Sequence, residues 1–498
     1  MNILDNIIGF ISPQTAYKRQ AYRNAIKERN YDAGNQGRLN ANWRTTNDSA
    51  EFTDRYSRDD IRARARDLER NSDIFNSVVL AYKRNIIGMG YNLQAKTDDV
   101  ELNELIESNW KEWCKKRNCD VTETQNLNQI LRMIIQRKKV DGGILIHKVY
   151  TKGGLLPFKL QLIEVDELDE TQMCSNSSRN KVAGGIELNE YNKPVGYWIK
   201  QYSVDGFSMD KPVYVEAKDI IYCFTKRRPS QIREMSDMTP TITRIRDVNE
   251  YMTAVSVKER VLACLSVFIK SITPQTGTSI GRTKVLDGEN YNYNGKMLTP
   301  GMIRHLNPGD EVFTVNPSGN SENAAEYIKQ QQHLIGAGQG LSYEATSRDM
   351  SKTTYSSARQ AGIEDDMTYQ EEKEIIIEIL DEIYETFIIS LYLSGQLKVK
   401  KDFWENKKLF FKHDWVQSPK RWIDPKKEAD ATRIAILSGQ KTFQQIASEN
   451  GKDWKAQIDD MSDAIEYAKS KGVDLSGILY ETTAEGGDDD EGTSKGQE

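Results

Sequence analysis

Residues 341–395 read LSYEATSRDMSKTTYSSARQAGIEDDMTYQEEKEIIIEILDEIYETFIISLYLSG. The first part, 341–355, is polar, carrying Ser342, Ser347, Ser351, Thr353 and Thr354. It reads as a loop able to protrude without burying its backbone. The second part predicts a very long helix, from about Ser356 to Leu393, stopped at Gly395. Within it, EIIIEILDEIYETFIISLYL (374–393) is apolar enough to raise the question of a membrane span. Glu378, Asp381, Glu382 and Glu385 answer it, because four acids are costly inside a bilayer.

Upstream, a helix is expected from about Glu322 to Gly338. Before it, 272–320 carries Pro274, Gly277, Gly281, Gly288, Pro300 and further Gly and Pro, and reads as a small β module inserted between helices. A long helix precedes that module. Thr239-Pro240 supplies a cap and first turn, and Ile242, Ile245, Val248, Met252, Val255, Leu262, Leu265 and Ile269 recur at spacings of three, four and seven. Run to Ser271, it would be about 50 Å long at about 1.5 Å per residue, which suits a stem.

The earlier part predicts a mixed helix-and-sheet domain. GGILIHKVY, FKLQLIEVDEL, GGIELNE, KPVGYWIKQY and KDIIYCF are β-rich runs between Gly142 and Phe224, separated by turn residues. A helical pair covers roughly 100–140. Residues 57–89 are helical, with Ser57 as N-cap, a break near Asn71 and a stop at Gly88. Arg62, Arg64, Arg66 and Arg70 fit either a phosphate-binding face or an exposed face neutralised by neighbouring acids. Residues 1–56 read as a polar arm. At the other end, 415–475 is helical, with Trp415, Trp422 and Pro425 at its start and Asp424 as cap. Residues 476–498 read as a disordered acidic tail.

Of 498 residues, 38% are hydrophobic and 29% charged, which suits a globular chain of several domains and excludes a wholly disordered one. The net charge of −6 argues against a tight, static nucleic-acid binder. Cys114, Cys119, Cys174, Cys223 and Cys264 match no zinc spacing and read as reduced thiols. The N-terminus lacks the basic region and cleavage site of a signal peptide.

Several ordered blocks resemble the lambda-type portal proteins of tailed bacteriophages, over roughly 57–475. They are RARARDLERNSDIFNSVVLAYKRNIIGMGYNLQ, LIEVDEL (162–168), GGIELNEYNKPVGYWI (184–199), RRPSQIREMSDMTP (227–240), LNPGDEV (306–312), GAGQGLSYE, SRDMSKTTYSSARQAG and WIDPKKEADATRIAILSGQKTFQQIASENGKDW (422–454). In the most specific of them, SRDMSKTTYSSARQAG, the matching residues are Asp349, Tyr355, Ser356, Ser357 and Arg359. Two positions depart from the family. Glu234 stands where a Gly often follows the Arg, and Tyr222 where a His often precedes the aromatic of the preceding strand.

The resemblance implies an α+β portal fold: a mixed α/β wing, long stem helices, a small β-rich clip and a helical crown. Its regions fall at 1–56 (arm), 57–238 (wing, first part), 239–271 (stem), 272–321 (clip), 322–340 (stem), 341–355 (tunnel loop), 356–414 (wing-crossing helix and wing, second part), 415–475 (crown) and 476–498 (tail). It implies a non-enzymatic ring of about twelve copies at one capsid vertex, passing double-stranded DNA without regard to sequence. Terminase, a head–tail connector and the major capsid or scaffold protein are the further partners, with no membrane, metal or cofactor. On this reading Arg348 and Lys352 meet phosphates as point contacts, Asp349 keeps the local charge low, and Ser351, Thr353 and Thr354 line the path. Tyr355, Ser356, Ser357 and Arg359 support the loop. The plainer alternative is a surface loop with two solvated cations.

No P-loop is present, and His147, His305, His333 and His413 are too scattered for a metal pair. Asp365-Asp366 and Asp59-Asp60 are adjacent on helices, which suits solvated faces better than a shared metal. The readings left beside the portal are another ring-shaped head–tail adaptor or a DNA-processing enzyme.

Overall fold

A computed structural model of the chain describes residues 13–15, 17–18, 42, 47–177, 179–202, 209–263, 267–271, 310–314, 324–351, 353–399, 402–417, 425–451 and 454–473. Two compact units result, Met1–Thr53 and Asp54–Glu498. In the first, short helical pieces at 13–15 and 17–18 and the start of the helix Ala50–Asp54 are described, and the elements below belong to the second. Most of the expected arm and clip, all of the tail, and Lys352, Asp424 and Cys264 lie outside the described residues.

The expected break at Asn71 is real: α1 spans Arg58–Asn71 and α2 Asp73–Ile86. Ser57 does not cap α1 with its side chain. Ser72 caps α2, its hydroxyl accepting from Phe75 N at 3.3 Å. Next come β1 (Tyr91–Ala95), α3 (Val100–Trp113) and α4 (Leu127–Asp141). Asn126 and Gln129 form a reciprocal cap at the start of α4, and Gly142 at φ 94° turns the chain out of it.

The β-rich runs fold as two small antiparallel sheets. One has the order β3 (Phe158–Ile163), β2 (Gly143–Tyr150), β8 (Ile220–Phe224); the other runs β4 (Lys181–Ala183), β5 (Ile186–Leu188), β6 (Pro194–Tyr202), β7 (Met209–Glu216). Leu145, Ile163, Ile186, Leu188, Tyr197 and Ile199 form a small apolar cluster drawn from both.

The long helix after Pro240 is shorter than its periodicity predicts. It is α5, Ile242–Ala263, about 33 Å at about 1.5 Å per residue. Pro240 sits in the preceding turn, not at the first helical position. Val267–Ser271 is β9, paired antiparallel with β10 (Asp310–Thr314). Val-Phe-Ile is a β-branched and aromatic run that pairs well in a strand, so the apolar spacing through Ile269 was misleading. Helix α6 (Ala324–Gly338), the short α7 (Tyr343–Ser347) and α8 (Tyr355–Leu393) follow. Gly395 at φ 74° ends α8 as expected.

The main core gathers around the C-terminal half of α8, where Ile376, Leu380, Ile383, Tyr384, Phe387, Ile388 and Leu391 are fully buried. Trp113 stacks on Phe158 at 5.3 Å, and Trp110 meets Phe387 edge-on at 5.0 Å. Trp415 belongs to this core, not to the C-terminal helices. It lies in β11 (His413–Gln417), which pairs with β1, and its ring is 5.5 Å from Trp110. Beyond it are α9 (Pro425–Leu437), α10 (Phe443–Glu449) and α11 (Trp454–Ser470). Among the described residues no helix is long and apolar enough to cross a membrane.

Candidate functional site

The segment 341–355 is more ordered than its polar composition suggests. Residues 343–347 form α7, capped by Ser342, whose hydroxyl accepts from Ala345 N at 3.1 Å. Arg348 follows at φ 59° in the left-handed region and ends the turn. Ser351, at the outer tip, donates its N–H to Asp349 Oδ1 at 3.0 Å. Thr353 donates to Glu344 Oε1 at 3.2 Å, and Thr354 forms a reciprocal cap with Ser357 at the start of α8.

Asp349 therefore does more than dilute local charge: it ties the tip. Hydrogen bonding from Ser351, then Lys329 and Tyr343, holds its carboxyl below the usual aspartate range. Arg348 is exposed, with no ion pair to any described residue. Ser356 and Arg359 are exposed on the first turn of α8, and Arg359 makes no bond to the loop among the described residues. The backbone of Tyr355 begins α8. The geometry thus brings Asp349, Ser351, Thr353, Thr354 and Ser357 into one bonded loop, with the Ser356 hydroxyl 3.3 Å from that of Thr354, and leaves the Arg348 and Arg359 side chains out of it.

Below the tip, Asp365 is 7% exposed and accepts from Ser342 N at 2.6 Å and Ser342 Oγ at 2.7 Å. It is not on a solvated face, as its pairing with Asp366 suggested. Its burial is matched by two donors at the loop's start. At the loop's base the Tyr82 hydroxyl donates to the Gln339 carbonyl, and Gln339 Nε2 donates to the Asp237 carbonyl at 3.2 Å.

Asp237 opens on a buried ion cluster that the sequence did not disclose. Lys138 lies 3.0 Å from Asp237 and 2.8 Å from Glu372. Lys139 lies 3.2 Å and 2.6 Å from the same two carboxylates, and its ammonium sits 4.0 Å over the Tyr82 ring. The one available signal was that Lys138 and Lys139 continue the apolar face set by Ile134 and Ile135.

The block RRPSQIREMSDMTP is likewise internal. Arg233 is 1% exposed and Glu234 0%. Arg233 Nε donates to Glu234 at 2.9 Å, and its other nitrogens reach Glu170, the Gly184 carbonyl and the Val165 carbonyl. Arg58, Arg62 and Arg66 of α1 join this network rather than facing phosphate or solvent. Arg62, 3% exposed, pairs with Asp59 at 2.5 Å and Asp166 at 2.6 Å; Arg66 pairs with Asp141 at 2.7 Å. Arg64 and Arg70 are exposed. The two departures noted above touch each other: the Tyr222 hydroxyl donates to the Glu234 carboxylate.

Burial alone would raise the Glu234 carboxyl, but the Arg233 charge and hydrogen bond, with Arg62 and Arg58, bring it down to about 2. Burial opposes ionisation of Asp237 too, and Lys139 and Lys138 still hold it below its usual range. Lys139 is pushed down by burial and then raised above its usual value by Asp237 and Glu372. Carboxylates with depressed values stabilise the fold above the unfolded range near about pH 4, and that stability is lost as pH falls toward 2. The raised Lys139 contributes fully below about pH 10.4 and loses its contribution above it. Unfolding temperatures should therefore be nearly flat from about pH 5 to 9 and drop steeply below about pH 4. A flat profile down to about pH 2.5 would contradict this electrostatic account.

Residues 36–373 match the family described as Phage portal protein, lambda family. The chain belongs to this family. The match covers α1 through the first half of α8, and so takes in the 341–355 loop and both ion networks. The portal chain is 25% identical over 460 residues to the probable portal protein of Halomonas phage phiHAP-1, covering 89% of this chain and 88% of that one. It is 18% identical over 433 residues to portal protein B of Escherichia phage lambda, covering 79% and 81%. Among solved structures, a chain of the virion of a native gene transfer agent particle aligns with a TM-score of 0.37 at 14% identity, over 60% of this chain and 74% of that one. Among the described residues no group of three or more His, Cys, Asp or Glu is placed to hold a metal.

Proposed function

We propose that this chain is the subunit of a ring-shaped, non-enzymatic channel at one capsid vertex of a virion, through which double-stranded DNA enters and leaves. The observation that carries the proposal is the portal-family match running unbroken through α5, α6, the 341–355 loop and into α8. On this reading α1–α4 and the two sheets are the wing, α5 and α6 the stem, β9 and β10 the root of the clip, and α9–α11 the crown. The clip is the docking face for terminase and later the head–tail connector, and the wing faces capsid or scaffold protein.

Ring closure requires a head-to-tail interface. Apolar residues left exposed on the stem and on α8 supply one: Val257 on α5, Leu334 on α6, and Ile363 and Met367 on α8 are 44–63% exposed. Purified protein examined by negative-stain microscopy and light scattering should form rings with a central hole. Monomer at every salt concentration, and with capsid or scaffold protein present, would overturn the proposal.

In the channel, Arg348 and Lys352 meet phosphates as point contacts, and Asp349 is tied back by Ser351. Few cations per subunit favour passage over capture, because each phosphate neutralised adds salt-sensitive affinity. Arg348→Glu with Lys352→Glu should slow packaging and lower the DNA retained in filled heads. Unchanged packaging rate and retention would reject a channel role for the two cations.

A further inference from the structure

Among the described residues, strand β1 has a neighbour on one side only, β11. Lys96 N donates to the Lys412 carbonyl at 2.9 Å, continuing the register in which Ala95 faces His413. Backbone polar groups alternate between the two sides of an antiparallel strand. Asn92 and Gln94 therefore turn theirs to β11, while Tyr91, Leu93 and Ala95 turn theirs away. On that outer side Ala95 N donates to Glu107 Oε1 at 2.8 Å. The outward N–H and C=O of Tyr91 and Leu93 find no such partner among the described residues.

This open edge borders a cleft of about 770 Å³ between β1, the end of α3 and the start of α4. Its floor includes Leu93, Trp110 and Leu127, and its rim carries Lys111, Lys116 and Arg117. The three cations are exposed, and none has an ion pair with a described residue, whereas neighbouring Lys115 is held by Glu112.

We propose that the cleft is a docking site for an extended, acidic, β-prone segment of a partner protein, which adds to β1 as its second neighbour. Strand addition uses alternating main-chain donors and acceptors for affinity and the surface beside the edge strand for side-chain specificity; here Tyr91 and Leu93 supply the first and the cleft receives side chains. A nucleic-acid backbone offers acceptors alone and would leave the carbonyls of Tyr91 and Leu93 without donors. The chain's own ends fit poorly by composition. Residues 484–491, AEGGDDDE, are acidic but made of residues depleted in strands, and residues 1–41 carry more Lys and Arg than Asp and Glu. The inference does not depend on the channel reading.

The test uses the full chain as bait for a display library of randomised twelve-residue peptides. Enriched peptides should combine Glu or Asp with Val, Ile, Thr or aromatic residues. The best one, made synthetically, should bind about tenfold more weakly to the Lys111→Glu, Lys116→Glu, Arg117→Glu triple variant. These residues are exposed, and an unchanged melting temperature checks that the variant folds. N-methylation of alternate peptide bonds should weaken binding by a similar factor without touching the protein, and the bound peptide should slow amide exchange across residues 90–96. The proposal is overturned if no enriched peptide prefers the wild type to the triple variant, or if N-methylation leaves affinity unchanged. It is also overturned if a short DNA duplex binds the same face and displaces the peptide.

Discussion

Replacing Glu234 with Gly, the residue often found at this position in the family, should destabilise the folded chain by about 3–5 kcal/mol. The side chain is fully buried and accepts two bonds from Arg233, at 2.9 and 3.0 Å, and one from Tyr222. Its removal leaves Arg233 and Arg62 buried with less negative charge than they were folded around. Tyr222→Phe loses both the bond donated to the Glu234 carboxylate and the one accepted from Glu234 N at 3.2 Å, and should cost about 1–3 kcal/mol. Because the two side chains touch, Tyr222→Phe with Glu234→Gly should cost clearly less than the sum of the single changes. Urea unfolding of the four proteins measures the coupling. Additive effects within about 0.5 kcal/mol would mean that the two positions vary independently.

That pair shows where the sequence was legible and where it was not. As isolated residues, Tyr222 and Glu234 were two separate departures from the family's pattern. The fold makes them one interaction, because the turn after β8 brings them together. Periodicity served well wherever burial followed apolar spacing along one element. Helices α2, α3, α4 and α6 and the strands β2, β3, β5, β6 and β8 lie where their patterns place them.

It failed where burial is polar. Arg62 and Arg66 read as a phosphate-binding or an exposed face, and Lys138, Lys139, Asp237 and Glu372 drew no attention, because charged side chains are seldom buried unless paired. Here their partners lie up to 234 positions away in the chain. A linear pattern carries no record of such pairings. The misjudged end of α5 has another cause: Val267, Phe268 and Ile269 fit helical spacing and strand propensity equally, and pairing with Asp310–Thr314 decides between them. In the loop, Tyr343–Ser347 lacks apolar periodicity, and its helical turn rests on the Ser342 cap and on buried Asp365 beneath it.

Glu372→Ala should be comparably severe, and its consequences should reach the loop. Lys138 and Lys139 would then share Asp237 as their close counter-charge, in a site where both ammonium groups are almost wholly buried. Breaking a buried ion pair from one side typically costs about 3–5 kcal/mol. Replacing Lys138 and Glu372 together by Met should recover part of that loss, since a well-packed apolar substitute avoids an unpaired buried charge. The cluster also fixes Asp237, whose carbonyl accepts from Gln339, while Tyr82 beneath Lys139 donates to the Gln339 carbonyl. Loosening the cluster should therefore raise amide exchange across 339–351 more than across Val100–Trp113, where Trp113 Nε1 donates to the Phe158 carbonyl at 2.9 Å. Uniform loss of protection over both segments would assign Glu372 to general stability alone. Selective loss at 339–351 would mean that the ion cluster sets the position of the loop, so that a packaging defect in Glu372→Ala would arise from a displaced tip with Arg348 itself unchanged.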